Sequence, residues 1–239
     1  MSDLFIVGSS FLIPNNKQWN LNLPTHNLKF GGYGDWSSLI AKGNQTQDKL
    51  LILFLDDLFQ EQQYSVEMIE ETLIPLVKLI EKSLMASNAP VIVGISAGQT
   101  FDVIRYSKCD YYLQKALTWV LAELKEMAQT YEHLYVLDLR FVFGEIGFLK
   151  SFDNRNWCLA RSRLSTLGIG AIAKNTTKIL ERHYSPPSKV LVLDCDNTIW
   201  GGVIGEDKLD GIILGQDGIG QAFVDFQKEV KALIRQGVV

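Results

Sequence analysis

The 239 residues carry 23 basic and 27 acidic side chains, a net charge of −4, and 47% hydrophobic residues. Charges of both signs are spread without long runs, which excludes the basic footprint of a nucleic-acid-binding surface, and the N-terminus Met1-Ser2-Asp3-Leu4-Phe5-Ile6-Val7-Gly8 lacks a basic leader and an apolar run long enough for a signal or a membrane span. Cys109, Cys158 and Cys195 form neither a CxxC pair nor a disulfide framework, so the expected setting is cytoplasmic, with no nucleic acid and no membrane as partner.

In chain order, short apolar runs at 4–7, 50–55, 91–95, 134–139 and 190–193 alternate with longer segments of helical period. This predicts a three-layer α/β fold with a mostly parallel sheet and crossover helices. Val66, Ile69, Leu73, Leu76, Val77, Ile80 and Leu84 mark one helix face, which Pro75 is expected to kink or break. Leu113, Leu117, Val120, Leu121, Leu124 and Ala128 mark a second, and Ile172, Ile179 and Leu180 a helix closing the first domain. No helix can continue through Tyr184-Ser185-Pro186-Pro187-Ser188, so the chain divides into residues 1–185 and 186–239. The second part reads as the strand at 190–193, a glycine-rich excursion from Trp200 to Leu214, and a helix carrying Phe223, Phe226, Val230 and Leu233 that stops at Arg235-Gln236-Gly237. Val238-Val239 read as the start of another strand, so this second domain is opened but not closed.

Asp194-Cys195-Asp196-Asn197-Thr198 is the segment that declares a chemistry. In an extended strand Asp194 and Asp196 project to one side and Cys195 to the other. Two carboxylates so close need a shared proton, a basic neighbour or a cation, and magnesium suits them because it takes one or two carboxylates and bridges to phosphate. The first carboxylate can then attack phosphorus while the second protonates the leaving group and later activates water. Elsewhere, Asp56-Asp57 after an apolar run are either metal ligands or the acidic residues that commonly end a strand. Arg155, Arg161 and Arg163 are either a recognition site for a phosphate or an acidic carrier protein, or a solvated face. Gly94-Ile95-Ser96-Ala97-Gly98 lacks the spacing of a dinucleotide or phosphate loop and reads as a tight turn near the ligand edge of the sheet.

The pattern Asp-x-Asp-x-Thr after an apolar run resembles the first motif of the haloacid-dehalogenase-like (HAD) superfamily. The longer stretch from Val190 through Trp200-Gly201-Gly202-Val203-Ile204-Gly205-Glu206-Asp207, continuing in Asp210-Gly211-Ile212, Leu214-Gly215, Ala222-Phe223 and Phe226-Gln227, resembles the FkbH-like branch of that superfamily, as does Arg155-Asn156-Trp157-Cys158-Leu159-Ala160 upstream. The resemblance implies a Rossmannoid phosphatase domain, of which residues 186–239 are the first βα unit. It implies Asp194 as nucleophile, Asp196 as general acid/base, Asn197 and Thr198 as phosphate-binding residues, and Mg2+ held by Asp194 and Asp196. The substrate it implies is a phosphorylated small molecule, from which some such proteins load a glyceryl unit onto an acyl carrier protein in polyketide or polysaccharide assembly. Cys195 stands where the family has an aliphatic residue and is expected to face the core.

The first domain resembles the SGNH-hydrolase-like, flavodoxin-like domain that precedes such phosphatase domains. Gly8-Ser9-Ser10 stands at its nucleophile block, Gly31-Gly32-Tyr33-Gly34 at its second block, and Leu167-Gly168-Ile169-Gly170 at the start of its closing helix. Where that family carries Asp-x-x-His, this chain has Arg161-Ser162-Arg163-Leu164-Ser165, and none of His26, His133 and His183 fits. Without a base, Ser9 and Ser10 are poor nucleophiles. The expectation is a binding module, with an active esterase and a wholly non-catalytic carrier-docking protein as the rivals.

Overall fold

The structure, a computed structural model, describes residues 2–10, 12–32, 37, 40, 47–59, 66–98, 108–185, 189–215, 217–235 and 237–238. It forms two compact units, Met1–Tyr184 and Ser185–Val239.

In the first unit, β1 (Ser2–Gly8), β2 (His26–Phe30), β3 (Asp48–Phe54), β4 (Val91–Ser96) and β5 (Leu134–Asp138) make one sheet in the order β2-β1-β3-β4-β5. Every pairing is parallel, with Leu4 opposite Asp48, Lys49 opposite Val91, and Val91 opposite Leu134. Every residue of β3 and β4 is buried, which is why residues 50–54 and 91–95 read as runs without polar alternation. β2 gives no such signal. It is an edge strand with only Leu28 and Phe30 packed on the core, too few for a periodicity to show.

Alternation along the strands splits the core in two. Leu51, Leu53, Val93 and Ile95 pack with α3 (Val66–Met85) and α4 (Lys108–Thr130). Leu50, Ile52, Phe54 and Ile92 face the other way, onto Trp19 of α1 (Asn16–Asn22), Leu139 and Phe143 of α5 (Leu139–Gly144), and Ile169 and Ile172 of α7 (Thr166–Tyr184). These are the three layers. The expected break is absent, and α3 runs continuously through Pro75. Pro75 lies on the exposed face, so water can take the carbonyl that its missing N–H leaves unpaired. At the other end of the unit, α7 sits so close to Ser151 that a Cβ on Gly168 would lie 2.3 Å from the Ser151 carbonyl oxygen.

The second unit contains α8 (Ile204–Asp207) and α9 (Ile219–Arg235). Residues 190–193, expected as a strand, form none: Val190 is 66% and Val192 88% exposed. A strand requires a neighbour to take its N–H and C=O groups, and among the described residues of this unit none offers that ladder. The expected strand at Val238 is also absent. Val238 N–H donates to the Leu233 carbonyl and Gly237 N–H to that of Ile234, a Schellman cap with Gly237 at φ 90°, and Val239 lies outside the described residues. Among the described residues of this unit, Gly201 and Gly220 alone are buried. No described helix of either unit is long and apolar enough to cross a membrane.

Candidate functional sites at the aspartate loop and the sheet edge

In the second unit the chain turns at Cys195. The N–H groups of Thr198 and Ile199 donate to the Cys195 carbonyl at 3.3 and 2.9 Å. Strand alternation therefore ends there, and Cys195 is exposed instead of facing a core. Asn197 adopts φ 55°, a left-handed conformation its short polar side chain tolerates. It closes the loop reciprocally: its N–H donates to the Gly202 carbonyl at 3.3 Å, and its Oδ1 accepts the Gly202 N–H at 2.8 Å. Gly201 exchanges two backbone hydrogen bonds with Ile213, and a Cβ on it would come within 2.9 Å of the Phe223 ring. Gln227 of α9 donates from Nε2 to the Ile199 carbonyl at 2.9 Å. The loop is thus fastened both by the glycine-rich excursion and by the helix.

This places Asp194 and Asp196 at the mouth of one turn. Asp194 is exposed, and its Oδ1 accepts the Cys195 N–H at 2.8 Å. Asp196 is half-buried, and its Oδ1 accepts from Trp200 Nε1 at 3.1 Å and from Ile204 N–H at 3.3 Å. On neither carboxylate does a described residue donate to Oδ2. The unengaged Asp194 oxygen on a fastened loop is a hard donor of the kind magnesium takes, and with the backbone carbonyl of Asp196 the residues present fit that ion. Among the described residues no group of three or more His, Cys, Asp and Glu side chains could complete an all-protein cage. Thr198 is half-buried in the same turn.

A second constellation stands at the C-terminal edge of the sheet in the first unit, between β1 and β3. There the strand order reverses, the position at which open α/β sheets bind ligands. Ser9, just past β1, receives the Phe54 N–H on its Oγ at 2.9 Å and donates to Asp57 Oδ2 at 3.0 Å. Asp56 and Asp57 lie on α2 (Leu55–Leu58), a single turn directly after β3. Arg163 comes from the segment between α6 (Asn154–Ala160) and α7: its Nη1 meets Asp56 Oδ2 at 2.7 Å and its Nε meets Asp57 Oδ1 at 2.9 Å. Its guanidinium stacks 4.2 Å from the centre of the Trp157 ring.

Asp56 and Asp57 follow directly on the end of β3, and both carboxylates are bound by Arg163. Arg163, with its side chain 11% exposed, is neither a solvated cation nor free for a phosphate. Arg161, also held near the Trp157 ring at 5.1 Å, remains on the surface. Gly98 follows β4 beside this cluster with φ 105°, and a Cβ there would fall 1.8 Å from Asp56 Oδ1.

Two carboxylates share one guanidinium here, in a place where water reaches little. Burial raises both above the ordinary carboxylate range despite the attraction of Arg163, and Asp56 is pushed up to about 7. Asp56 Oδ1 and Ser10 Oγ are buried without hydrogen-bond partners. The Arg163 contact spans 106 residues of sequence. The one signal available beforehand was that arginine stands where the SGNH block carries histidine. The histidines lie elsewhere: His26 begins β2, His133 precedes β5 and bonds to the Leu84 carbonyl, and His183 bonds to the Tyr135 hydroxyl at 2.9 Å. In a parallel sheet those strand starts are at the edge opposite Ser9. The second glycine block at Tyr33-Gly34 lies outside the described residues.

No family model matches this sequence, and no curated protein matches it. Solved structures do. One is the N-terminal part of a Bacteroides fragilis protein containing a phosphatase domain, complexed with Mg. It is 21% identical with TM-score 0.75, and the match covers 100% of this chain and 67% of that one. Another is a member of the lipolytic G-D-S-L family from Veillonella parvula, 17% identical with TM-score 0.50, matched over 76% of this chain and 100% of that one. The fold is α/β and flavodoxin- or SGNH-like. At these identities the likeness is one of fold.

Proposed function

We propose that this chain belongs to a magnesium-dependent FkbH-like phosphatase or glyceryl transferase whose chemistry resides at the Asp194–Asp196 loop. The observation that supports it is the loop itself: two carboxylates on one fastened turn, each with an oxygen left unengaged. The fold likeness to a protein with a phosphatase domain solved with Mg supports the same reading. In this account Asp194 attacks the phosphorus of a phosphorylated small molecule, forming an O–P bond as the ester O–P bond breaks. Asp196 gives its proton to the departing oxygen and then takes one from the water that releases phosphate. Asn197 and Thr198 shape the turn against the phosphate. Mg2+, held by Asp194 and Asp196, would offset the charge of the phosphoryl group.

The first unit then serves to bind a substrate or an acyl carrier protein, for the glyceryl loading that the FkbH resemblance implies. It does not act as an esterase, since Ser9 is tied to an aspartate already held by arginine. The 239 residues by themselves are expected to be inactive, because the loop sits in a unit without a buried apolar side chain among its described residues. The test is Mg-dependent phosphate release by this chain and by a chain extended past Val239. Turnover by the longer chain alone supports the proposal, and robust turnover by the 239 residues contradicts the expected inactivity. The second reading is a non-catalytic docking module, favoured by the Arg163 closure of the Ser9 edge. Carrier-protein binding with no phosphate release from the longer chain would establish it.

A further inference from the structure

We infer that Lys208 is the residue by which the aspartate loop recognises a second anionic group on its ligand, so that the preferred substrate carries a negative charge besides the phosphoryl group that reacts. The inference rests on the function proposed above and narrows its substrate class.

Lys208 stands out first by its backbone. Its φ of 55° and ψ of −174° fall in a region essentially confined to glycine. The other described non-glycine residues with positive φ have ready explanations: Arg161 ends α6 in the ordinary left-handed form, and Asn197 closes the aspartate loop. Lys208 is held where it is by the turns around it. Its N–H donates to the Ile204 carbonyl at 3.2 Å, its carbonyl accepts the Gly211 N–H at 3.4 Å, and Asp207 Oδ2 next to it accepts the Val203 N–H at 2.8 Å. Glycine would adopt this conformation without strain. A strained residue other than glycine points to a use for its side chain.

Charge indicates what that use is. From Val190 to Gln227, the stretch that forms the loop, the glycine-rich excursion and the first half of α9, Lys208 is the one basic residue against seven acidic ones. It is exposed, and no described carboxylate pairs with it. Its place in the chain is also suitable. Ile204, whose N–H donates to Asp196 Oδ1 at 3.3 Å, lies one helical turn before Lys208, about 5.4 Å along the axis. The flexible four-carbon stem of a lysine spans that distance. A ligand with its phosphoryl group at this loop meets two carboxylates, and any further anion on it finds no cation of this segment except Lys208.

The test uses phosphonates, whose P–C bond is not hydrolysed, so that binding is read without turnover. With Mg2+ and a chain extended past Val239, calorimetry gives dissociation constants for phosphonopropionate and for propylphosphonate, in which a methyl group replaces the carboxylate. The first should bind about tenfold tighter, the gain from a charge-assisted hydrogen bond. Lys208→Gly and Lys208→Ala should both abolish that preference and leave the affinity for propylphosphonate unchanged, while Lys208→Arg should keep most of it. Lys208→Gly should also melt higher than Lys208→Ala, because glycine alone is relieved of the strain. A preference that survives Lys208→Gly, or that the original chain lacks, overturns the inference. So does an equal loss of affinity for both phosphonates, the mark of a residue that only shapes the turn, or equal melting of the two variants. Should Lys208→Gly fail to fold, the binding results for Lys208→Ala decide alone. The proposed function fails separately, if the longer chain releases no phosphate from small phosphomonoesters or releases it undiminished after Asp194→Asn, and neither result depends on Lys208.

Discussion

Asp56, Asp57 and Arg163 show how a single arginine determines what a sheet edge can do. The guanidinium that pairs with both carboxylates stands at the place of a base, and the pair it neutralises accepts the Ser9 hydroxyl. Folding raises the Asp56 pKa to about 7, so between about pH 4 and 7 the folded state holds a proton that the unfolded chain has released. Stability must therefore fall as pH rises through that window, by roughly 2–4 kcal/mol from this group. Asp57 and Asp48, raised by the same burial, act in the same direction. Asp56→Asn should flatten the slope, as read from urea midpoints at pH 5 and 8; an unchanged slope would show that Asp56 does not carry the proton. Arg163→Met leaves the carboxylates without their cation and should cost about 3–5 kcal/mol at pH 8, less at pH 5 where Asp56 is protonated. An equal loss at both pH values would contradict the charge account.

Among the elements, α7 gives the sharpest prediction. Gly168→Ala would push a methyl group into the Ser151 carbonyl at 2.3 Å, and because the obstacle is backbone the helix has to shift. A loss of about 1–3 kcal/mol is expected in thermal or urea unfolding; no loss would mean that α7 moves freely. The elements also show what a sequence discloses. β3 and β4 are legible because both faces are covered, so residues 50–54 and 91–93 are apolar without alternation, and α4 is legible because one face is. β2 was hidden because an edge strand buries only alternate residues. Residues 190–193 have the composition of a strand and lack a partner to make them one, since composition records the tendency and pairing is a property of neighbours. The aspartate loop could be located from its residues. Its fastening could not, because the ties that matter, Gln227 to Ile199 and Trp200 to Asp196, depend on how the turn brings side chains together. The Arg163 cluster joins three distant segments, and its one local trace is an arginine where the SGNH block carries histidine.

At the scale of the whole molecule the two units differ in kind. The first has two cores on either side of a covered sheet. The second leaves Val192, Leu209, Ile219 and Ile234 at 60% exposure or more and, among its described residues, buries no apolar side chain. Amide exchange should therefore be slowest in β3 and β4, set by global unfolding, and much faster throughout α9. Comparable protection in α9 and β3 would show that the second unit carries stability of its own.

The catalytic claim concerns the same unit, and its most direct test is the rate of Mg-dependent phosphate release from small phosphomonoesters by a chain extended past Val239, with and without Asp194→Asn. The account predicts a fall of about 10³-fold or more, the loss of a nucleophile. Phosphate release that survives Asp194→Asn at the original rate would contradict it.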